Sequence, residues 1–523
     1  MRVVTLIVSV LFALCLIGCG KDDPPKPPAG GNGGGNGVKP PGNPDNPNGN
    51  PNGNQPPVAV PKKGWTGARF NPRANNELPL VITEVSPDSP ALRAGIRVGD
   101  VVLKKNGEPI TDLEAFKAWI KSLLPDMRYT LTLQREGKEI EVTVTVGVRA
   151  EAIEGGGKLA PPAALDAGMR WLAAQQLENG AWPHAHESII LQKGNPNPAV
   201  TGLALSALTS TQEGRAMYSA QVAKGIAYLL SRETPKGYLA EEADAMRYGN
   251  FATAYCLIVM CRVDKAKYRD DIKRLVSYFE RMQIAEPHGF EPYDWPYGAW
   301  DYYDDIRQRP MRADIVLTSL VIDALHAAEV PTSSPVMKKA LKYIKMCQNW
   351  KDDVNQLTEY DDGGFVFTPR EGKAGEKEVG GGGNLRFVSY GSVTLDGIRS
   401  LILLGEAKDS SRVKAARDWM ANNYNLEMVP GFPPAALVDF AHGLRYYYYM
   451  DMAKTMQVVG EPVMRTPQGA EIKWSGDLGA YVAGLQRPDG SWANGVSVMN
   501  EDDPLFATGM ALHALAIALG HQQ

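Results

Sequence analysis

Between Ala160 and Gln523 the chain repeats one pattern six times: a helix ending near Gln, a turn with Gly and an aromatic residue, then a second, almost wholly apolar helix. The clearest turns are Gln176 with Gly180 and Trp182, and Gln486 with Gly490 and Trp492. Looser copies stand at Gln283 with Gly289 and Phe290, and at Gln348 with Gly363, Gly364 and Phe365. The second helices are anchored on Thr201, Thr253, Ile315, Thr394, Asp451 and Thr508, about 50 to 80 residues apart, the spacing of a two-helix unit with insertions. Gly permits the positive φ that ends a helix. The indole covers the turn with apolar surface, and the Gln amide can satisfy backbone groups orphaned at helix ends.

Second helices such as Thr201–Leu208 and Phe506–Ile517 are apolar on nearly every face, so they need cover all round and belong to an inner ring. First helices such as Met337–Ile344 and Val413–Met420 are amphipathic and belong outside. Six of each make a closed all-α ring, an (α/α)6 toroid over 160–523. These repeats resemble the prenyltransferase and squalene-cyclase superfamily, whose repeat carries the same Gln-to-Trp turn. Tyr390–Thr394 and the Tyr446–Tyr449 run followed by Met450–Lys454 resemble a bacterial cyclase-like branch that mostly lacks assigned activity.

The chain opens on Arg2, an apolar stretch from Val3 to Ile17, and Leu16-Ile17-Gly18-Cys19, the layout of a secretory signal over 1–19. The last four residues resemble the lipobox of bacterial lipoproteins. That resemblance implies lipid attachment at Cys19 and a membrane partner through the lipid; Gly20 in place of Asp favours the outer membrane of the cell envelope. Residues 20–60 are Pro, Gly and Asn with almost no apolar side chains, which cannot bury enough surface to offset ordering entropy. They read as a tether, reaching roughly 100 Å or more if extended. Cys256, Cys261 and Cys347 read as buried apolar residues, because two cysteines five apart on one helix point in different directions.

Residues 61–148 read as a small α+β module. Its signals are the strand Leu80–Val85, Ser89-Pro90-Ala91, Ala94-Gly95, Gly99-Asp100, the turn Asn106-Gly107 and a capping box Thr111–Glu114. Leu113, Phe116, Ile120 and Leu123 share one helix face, and Ile140, Val142, Val144 and Val146 alternate as a strand. The set resembles the PDZ domains of bacterial envelope proteases. That likeness implies binding of protein C-termini at Trp65, Thr66, Gly67 and Ala68, with Phe116 and Ile120 on the helix side. Small Ala68, and Pro72 with no amide to donate, shorten such a contact. The alternative is a PDZ domain that packs on its own toroid and takes no free peptide.

The chemistry of the toroid is bounded by what the sequence lacks. Its Asp residues, including Asp301, Asp304-Asp305, Asp361-Asp362 and Asp502-Asp503, do not form the Asp-x-Asp-Asp cluster with which the cyclases protonate alkenes. His184-Ala-His186 has no Cys nearby to complete a zinc set. No nucleophilic Ser stands in a Gly-rich elbow. Catalytic and metal-ligating residues are therefore assigned to none, and no cofactor is expected. Asp314 stands beside Arg312, which is expected to keep it ionised. By likeness to toroids whose ligands enter at the starts of the inner helices, candidates for the cavity are Tyr248, Asn250, Arg312, Asp314, Tyr390, Ser392, Tyr446 and Phe506, with an isoprenoid or other hydrophobic ligand. Lys373, Lys377 and Gly380–Gly383 would form a loop at the same mouth. A net charge of −4 over 523 residues gives no nucleic-acid signature. The expected function is a lipid-anchored envelope protein pairing a peptide-recognising PDZ module with a toroid used for binding or scaffolding. The alternative is an enzyme of terpenoid or glycan chemistry working in the toroid cavity.

Overall fold

The computed structural model describes residues 64–66, 68–73, 77–85, 89–123, 127–148, 159–183, 194–241, 248–302, 312–351, 361–378, 385–433, 438–496 and 499–521. The signal, the tether, His184, His186 and the run Gly380–Gly383 lie outside them. Two separate hydrophobic cores divide the described chain, one in the small module and one in the helical body.

The small module runs β1 (Gly64–Trp65), β2 (Ala68–Arg73), β3 (Glu77–Val85), α1 (Pro90–Arg93), β4 (Val101–Lys105), β5 (Glu108–Pro109), α2 (Leu113–Ser122), β6 (Arg128–Arg135), β7 (Lys138–Thr145) and β8 (Gly147–Val148). The sheet has the antiparallel order β2-β3-β4-β6-β7, with β5 beside β4, so β2 is an edge strand. Each sequence signal has a local cause. Ser89 caps α1 by accepting from the Leu92 amide at 3.1 Å. Asn106 and Gly107 both take positive φ, as a tight hairpin turn requires. Buried Asp100 takes Arg135 Nε and Nη2 at 2.7 Å each, while Arg135 also reaches the Gly95 carbonyl, tying the Gly-Asp turn to β6. One expectation is corrected: α2 begins at Leu113 and its cap is Asp112, whose Oδ1 accepts from the Ala115 amide at 3.1 Å, rather than Thr111. The carboxylate one residue on is the better-placed acceptor.

The body comprises α3 (Pro161–Ala174), α4 (Pro198–Leu208), α5 (Gln212–Met217), α6 (Ser219–Leu230), α7 (Gly249–Val263), α8 (Arg269–Met282), α9 (Ile315–Ala327) and α10 (Pro335–Met346). There follow the hairpin β9 (Glu376–Glu378) and β10 (Leu385–Phe387), then α11 (Gly391–Leu403), α12 (Ser411–Asn422), α13 (Val438–Gly443) and α14 (Arg445–Val459). The hairpin β11 (Met464–Arg465) and β12 (Glu471–Ile472) leads to α15 (Trp474–Gly484) and α16 (Pro504–Ala518). Helices α4, α7, α9, α11, α14 and α16 pack each on the next, and α16 packs back on α4, closing the inner ring. Outside it stand α3, α6, α8, α10, α12 and α15. This is the expected (α/α)6 toroid.

The repeated Gln has a specific task. Gln176 Nε2 donates to the Gly180 carbonyl of its own turn and to the Gln221 carbonyl in the first turn of α6, both at 2.9 Å. Gln283 does the same to Gly298 and Val336, Gln348 to Gly363 and Arg412, and Gln486 to Gly490 and Ala164. Each amide thus bridges one outer helix to the next. The indoles of Trp182, Trp300 and Trp492 donate to the Leu172, Phe279 and Val482 carbonyls at 2.7–2.8 Å, covering orphan acceptors of the preceding outer helix. The third turn is therefore Gln283 with Gly298 and Trp300, and the expected Gly289-Phe290 belongs to an insertion between them.

The inner anchors are also explained, with two shifts of register. Thr201, Thr253, Thr394 and Thr508 accept through Oγ1 from the amides of Trp182, Leu239, Phe365 and Trp492. In α9 that role falls to Thr318, which receives the Trp300 amide, rather than to Ile315. In α14 the fourth residue is Tyr448, and Asp451 lies almost one turn deeper. Cys256, Cys261 and Cys347 are buried free thiols, as expected.

Gly298 needs glycine twice over: φ is +93°, and a Cβ would sit 2.0 Å from the Lys339 carbonyl oxygen of α10. Gly298→Ala is expected to destabilise the protein by about 3 kcal/mol. Gly469→Ala, with similar φ but open space around it, should cost only about 1 kcal/mol. Chemical denaturation of the two variants checks this; equal losses would show that the packing against α10 is not the constraint.

Candidate functional site

Helices covered on all sides are expected to be apolar throughout, yet three inner helices carry charges to the centre of the ring. From α9 come Ser319 and Asp323, from α11 Asp396, Arg399 and Ser400, and from α14 Tyr447, Asp451, Lys454 and Thr455. The Arg399 guanidinium joins them. Its Nε donates to Asp323 Oδ1 at 3.1 Å, its Nη2 to Asp396 Oδ1 at 2.7 Å, and its Nη1 to Asp451 Oδ1 at 3.1 Å and Thr455 Oγ1 at 3.3 Å. The planar five-donor fork suits three carboxylates converging from different helices.

The second oxygens of two of these acids are occupied as well. Asp323 Oδ2 meets Lys454 Nζ at 2.5 Å, and Asp396 Oδ2 accepts from Tyr447 Oη at 2.8 Å. Asp451 Oδ2, in a side chain only 1 % exposed, has no hydrogen-bond partner among the described residues. Burial raises all three acids, but for Asp323 the charges of Arg399 and Lys454 outweigh it and hold the carboxyl below its ordinary value. At Asp451 burial, reinforced by the neighbouring Asp396 charge, prevails over Arg399 and holds the carboxyl well above the ordinary value. The cations thus favour the ionised form of Asp323, while burial favours the neutral form of Asp451.

A cavity of about 20 Å³ opens above this floor. Its buried base is Arg399, Asp451, Leu320 and Met450, and its half-buried rim is Phe251 and Tyr255 from α7, Val316 from α9, and Tyr447 and Lys454 from α14. That volume accommodates about one water-sized group.

None of the eight expected cavity residues lines this space, although several are its immediate neighbours. Tyr248 precedes α7, its ring 6.5 Å from that of Phe251. Asn250, beside Phe251 in sequence, is held in the wall: its Nδ2 donates to the Asp301 carbonyl and its Oδ1 accepts from Tyr278 Oη. The Arg312 amide donates to Asp301 Oδ2. Tyr390 is buried against Phe432 at 4.9 Å, Ser392 is buried in α11, and Phe506 is half-buried on the core. Tyr446 is buried one position before Tyr447. Successive helix residues point about 100° apart, so in α7 and α14 the expected Asn250 and Tyr446 stand one position before the lining Phe251 and Tyr447.

Asp314 caps α9, its Oδ1 accepting from the Leu317 amide at 2.9 Å. The expectation that Arg312 keeps it ionised is corrected: burial pushes its carboxyl up to about 7, against the hydrogen bonds it accepts from the Leu317 amide and Tyr302. Glu501 caps α14 in a similar way, taking the Tyr446 and Tyr447 amides at 3.0 and 2.9 Å and Asn494 Nδ2 at 2.9 Å. Burial raises it to about 7 as well.

In the small module, Phe116 and Ile120 have different fates. Phe116 is closed inside the core, its ring 5.4 Å from Phe70 and 5.5 Å from Trp119, whereas Ile120 is half-buried. The Thr66 carbonyl accepts from the Ala91 amide at 2.8 Å and Trp65 pairs with Gly147, so the start of the β1–β2 loop is fixed; Gly67 lies outside the described residues. Pairing of β2 with β3 is irregular at two places, between Arg69 and Phe70 and between Asn71 and Arg73 around Pro72, so the strand edge is broken twice.

Comparison with known proteins agrees with this division. Residues 66–146 match the family model of the PDZ domain. Over 84 residues the chain is 33% identical to the serine endoprotease DegS of Haemophilus influenzae, covering 16% of this chain and 25% of that one. It is 41% identical over 66 residues to a probable periplasmic serine endoprotease, DegP-like, of Chlamydia trachomatis, and 36% over 63 residues to the periplasmic serine endoprotease DegP of Escherichia coli, each match spanning 13% of the relative. The chain thus spans a quarter or less of the length of these relatives. Among solved structures, the type II terpene cyclase MstE from Scytonema aligns over 69% of this chain and 99% of its own at 12% identity and a TM-score of 0.45. The PDZ match covers the small module, and the closed packing of α4, α7, α9, α11, α14 and α16 defines the α/α toroid that follows it. Among the described residues no helix is long and apolar enough to cross a membrane, and no group of three or more His, Cys, Asp or Glu is placed to hold a metal ion.

Glu501 gives the toroid a pH dependence of definite sign. Its folded value of about 7 exceeds its ordinary 4.5, so its contribution to stability is present below about pH 4.5 and is lost as pH rises towards 7. The unfolding free energy is expected to fall across that window by on the order of 3 kcal/mol from this group, with Asp314 adding in the same direction. Glu501→Gln should flatten the slope in denaturant titrations at several pH values. An unchanged slope would mean that Glu501 stays ionised in the folded protein.

Proposed function

We propose that this is a cell-envelope scaffold: the PDZ domain captures protein C-termini along the β2 edge, and the toroid is a rigid binding body with no turnover of its own. The observation that carries this reading is the edge position of β2 beside α2, which leaves a strand free to be augmented by an extended peptide. Cys19 holds the chain in a membrane by its lipid, with the outer membrane favoured, and residues 20–60 set the distance between them. The periplasmic names of the DegP relatives support the envelope location.

The toroid's centre supports binding over polyprenyl catalysis. Three of its six inner helices are clamped by Arg399, and the cavity above the clamp takes one small polar group rather than a chain of isoprene units. An isoprenoid or other hydrophobic molecule would lie across the half-buried rim.

The full chain is expected to bind hydrophobic C-terminal peptides at micromolar strength, about −8 kcal/mol, because the two register breaks in β2 and the missing amide of Pro72 shorten the strand contact. Amidating the peptide carboxylate should abolish binding in fluorescence anisotropy. If no peptide in a C-terminal library shows that dependence, the PDZ domain serves its own toroid instead. Lipidation is checked by mass spectrometry of the mature N-terminus, where a diacylated Cys19 is expected; an unmodified mature chain beginning elsewhere rejects it.

A further inference from the structure

The central cluster contains three carboxyls, Asp323, Asp396 and Asp451, against two cations, Arg399 and Lys454. Both oxygens of Asp323 and of Asp396 are taken by donors. The excess carboxyl is Asp451, with one oxygen on Arg399 and the other unpartnered among the described residues. An uncompensated charge at such depth is costly, so the neutral acid is the form that fits, and the whole cluster then sums to zero charge. Asp451 lines the cavity beside Lys454, together with Phe251, Val316, Leu320 and Met450.

We propose that this cavity is a headgroup socket for a neutral amphiphile ending in a hydroxyl: the hydroxyl oxygen accepts from Asp451 Oδ2–H at the base, and the aliphatic chain runs out over the Phe251 and Val316 rim. The inference rests on the reading of the toroid as a binding unit and names its ligand class. The space of about 20 Å³ matches one oxygen-sized group. A carboxylate would bring an unbalanced charge to a neutral cluster, and an ammonium would meet Lys454 and Arg399. An alkane would leave Asp451 unpaired. A hydroxyl satisfies the buried carboxyl without adding charge.

The test is calorimetric titration of the full chain with 1-octanol, octane, octanoate and octylamine. Saturable binding of 1-octanol is expected, with each of the other three at least about ten-fold weaker, the factor that one buried hydrogen bond supplies. Asp451→Asn keeps a donor at the base and should stay within about three-fold of the parent, whereas Asp451→Val should lose about ten-fold. If Asp451→Val does not fold, Val316→Phe, a rim change that narrows the entrance, must weaken octanol binding instead. Octylamine binding more tightly than 1-octanol, octane matching it, or affinity unchanged in folded Asp451→Val would overturn the proposal. Peptide binding measured on the same preparation separates the two readings: octanol failing while C-terminal peptides bind removes the socket and leaves the scaffold.

Discussion

The toroid depends on one side-chain amide repeated around its circumference. A helix-ending Gln donates both N–H groups, one to the carbonyl of its own turn glycine and one to a first-turn carbonyl of the next outer helix. Each such bond contributes about 1 kcal/mol, but their arrangement matters more than their sum. The bond from Gln486 to Ala164 spans 322 residues and joins the last outer helix to the first. On the inside, α16 packs on α4, so the same closure covers an apolar face of each. The turn glycines allow it, because the outer helices approach so closely that a Cβ at Gly180 or Gly298 would meet the neighbouring helix's backbone.

Within this apolar ring, the Arg399 cluster is costly to bury, and pairing of the guanidinium with three carboxyls offsets most of that cost. It links α9, α11 and α14 through side chains rather than through interdigitated methyl groups. A directional network fixes one relative rotation of those helices, whereas apolar faces slide with less penalty. The one carboxylate oxygen left over is on Asp451, a residue that also lines the cavity.

The small module handles its polar groups differently. Asp100 and Arg135 form a bidentate pair that fixes the turn before β4, and β1 pairs with β8 so that both ends of the module meet. The edge left for a partner is short, since Pro72 has no amide and the strand bulges around it. In the proposed peptide complex, selectivity would come from few backbone bonds and from the half-buried Ile120 side of α2.

The sequence alone determined the two-part organisation, the PDZ elements, the inner and outer helix classes and the closed ring. These follow from periodicity, from glycine's backbone freedom and from helices too apolar to stand uncovered. It placed the anchors Thr201, Thr253, Thr394 and Thr508 correctly, because Gly and aromatic turn residues close by fix their register. It misplaced the third turn and anchor, where an insertion parts Gln283 from Gly298 and Trp300. The centre was decided by tertiary structure. Asp323, Asp396, Arg399 and Lys454 were visible as charges in otherwise apolar helices, a signal that could have been used. Their convergence on one guanidinium, however, requires three helices separated by some 130 residues to turn particular faces inward. Helix rotation is set by packing against neighbours, which no local pattern encodes, and for that reason Tyr446 and Asn250 were expected at a cavity that Tyr447 and Phe251 line.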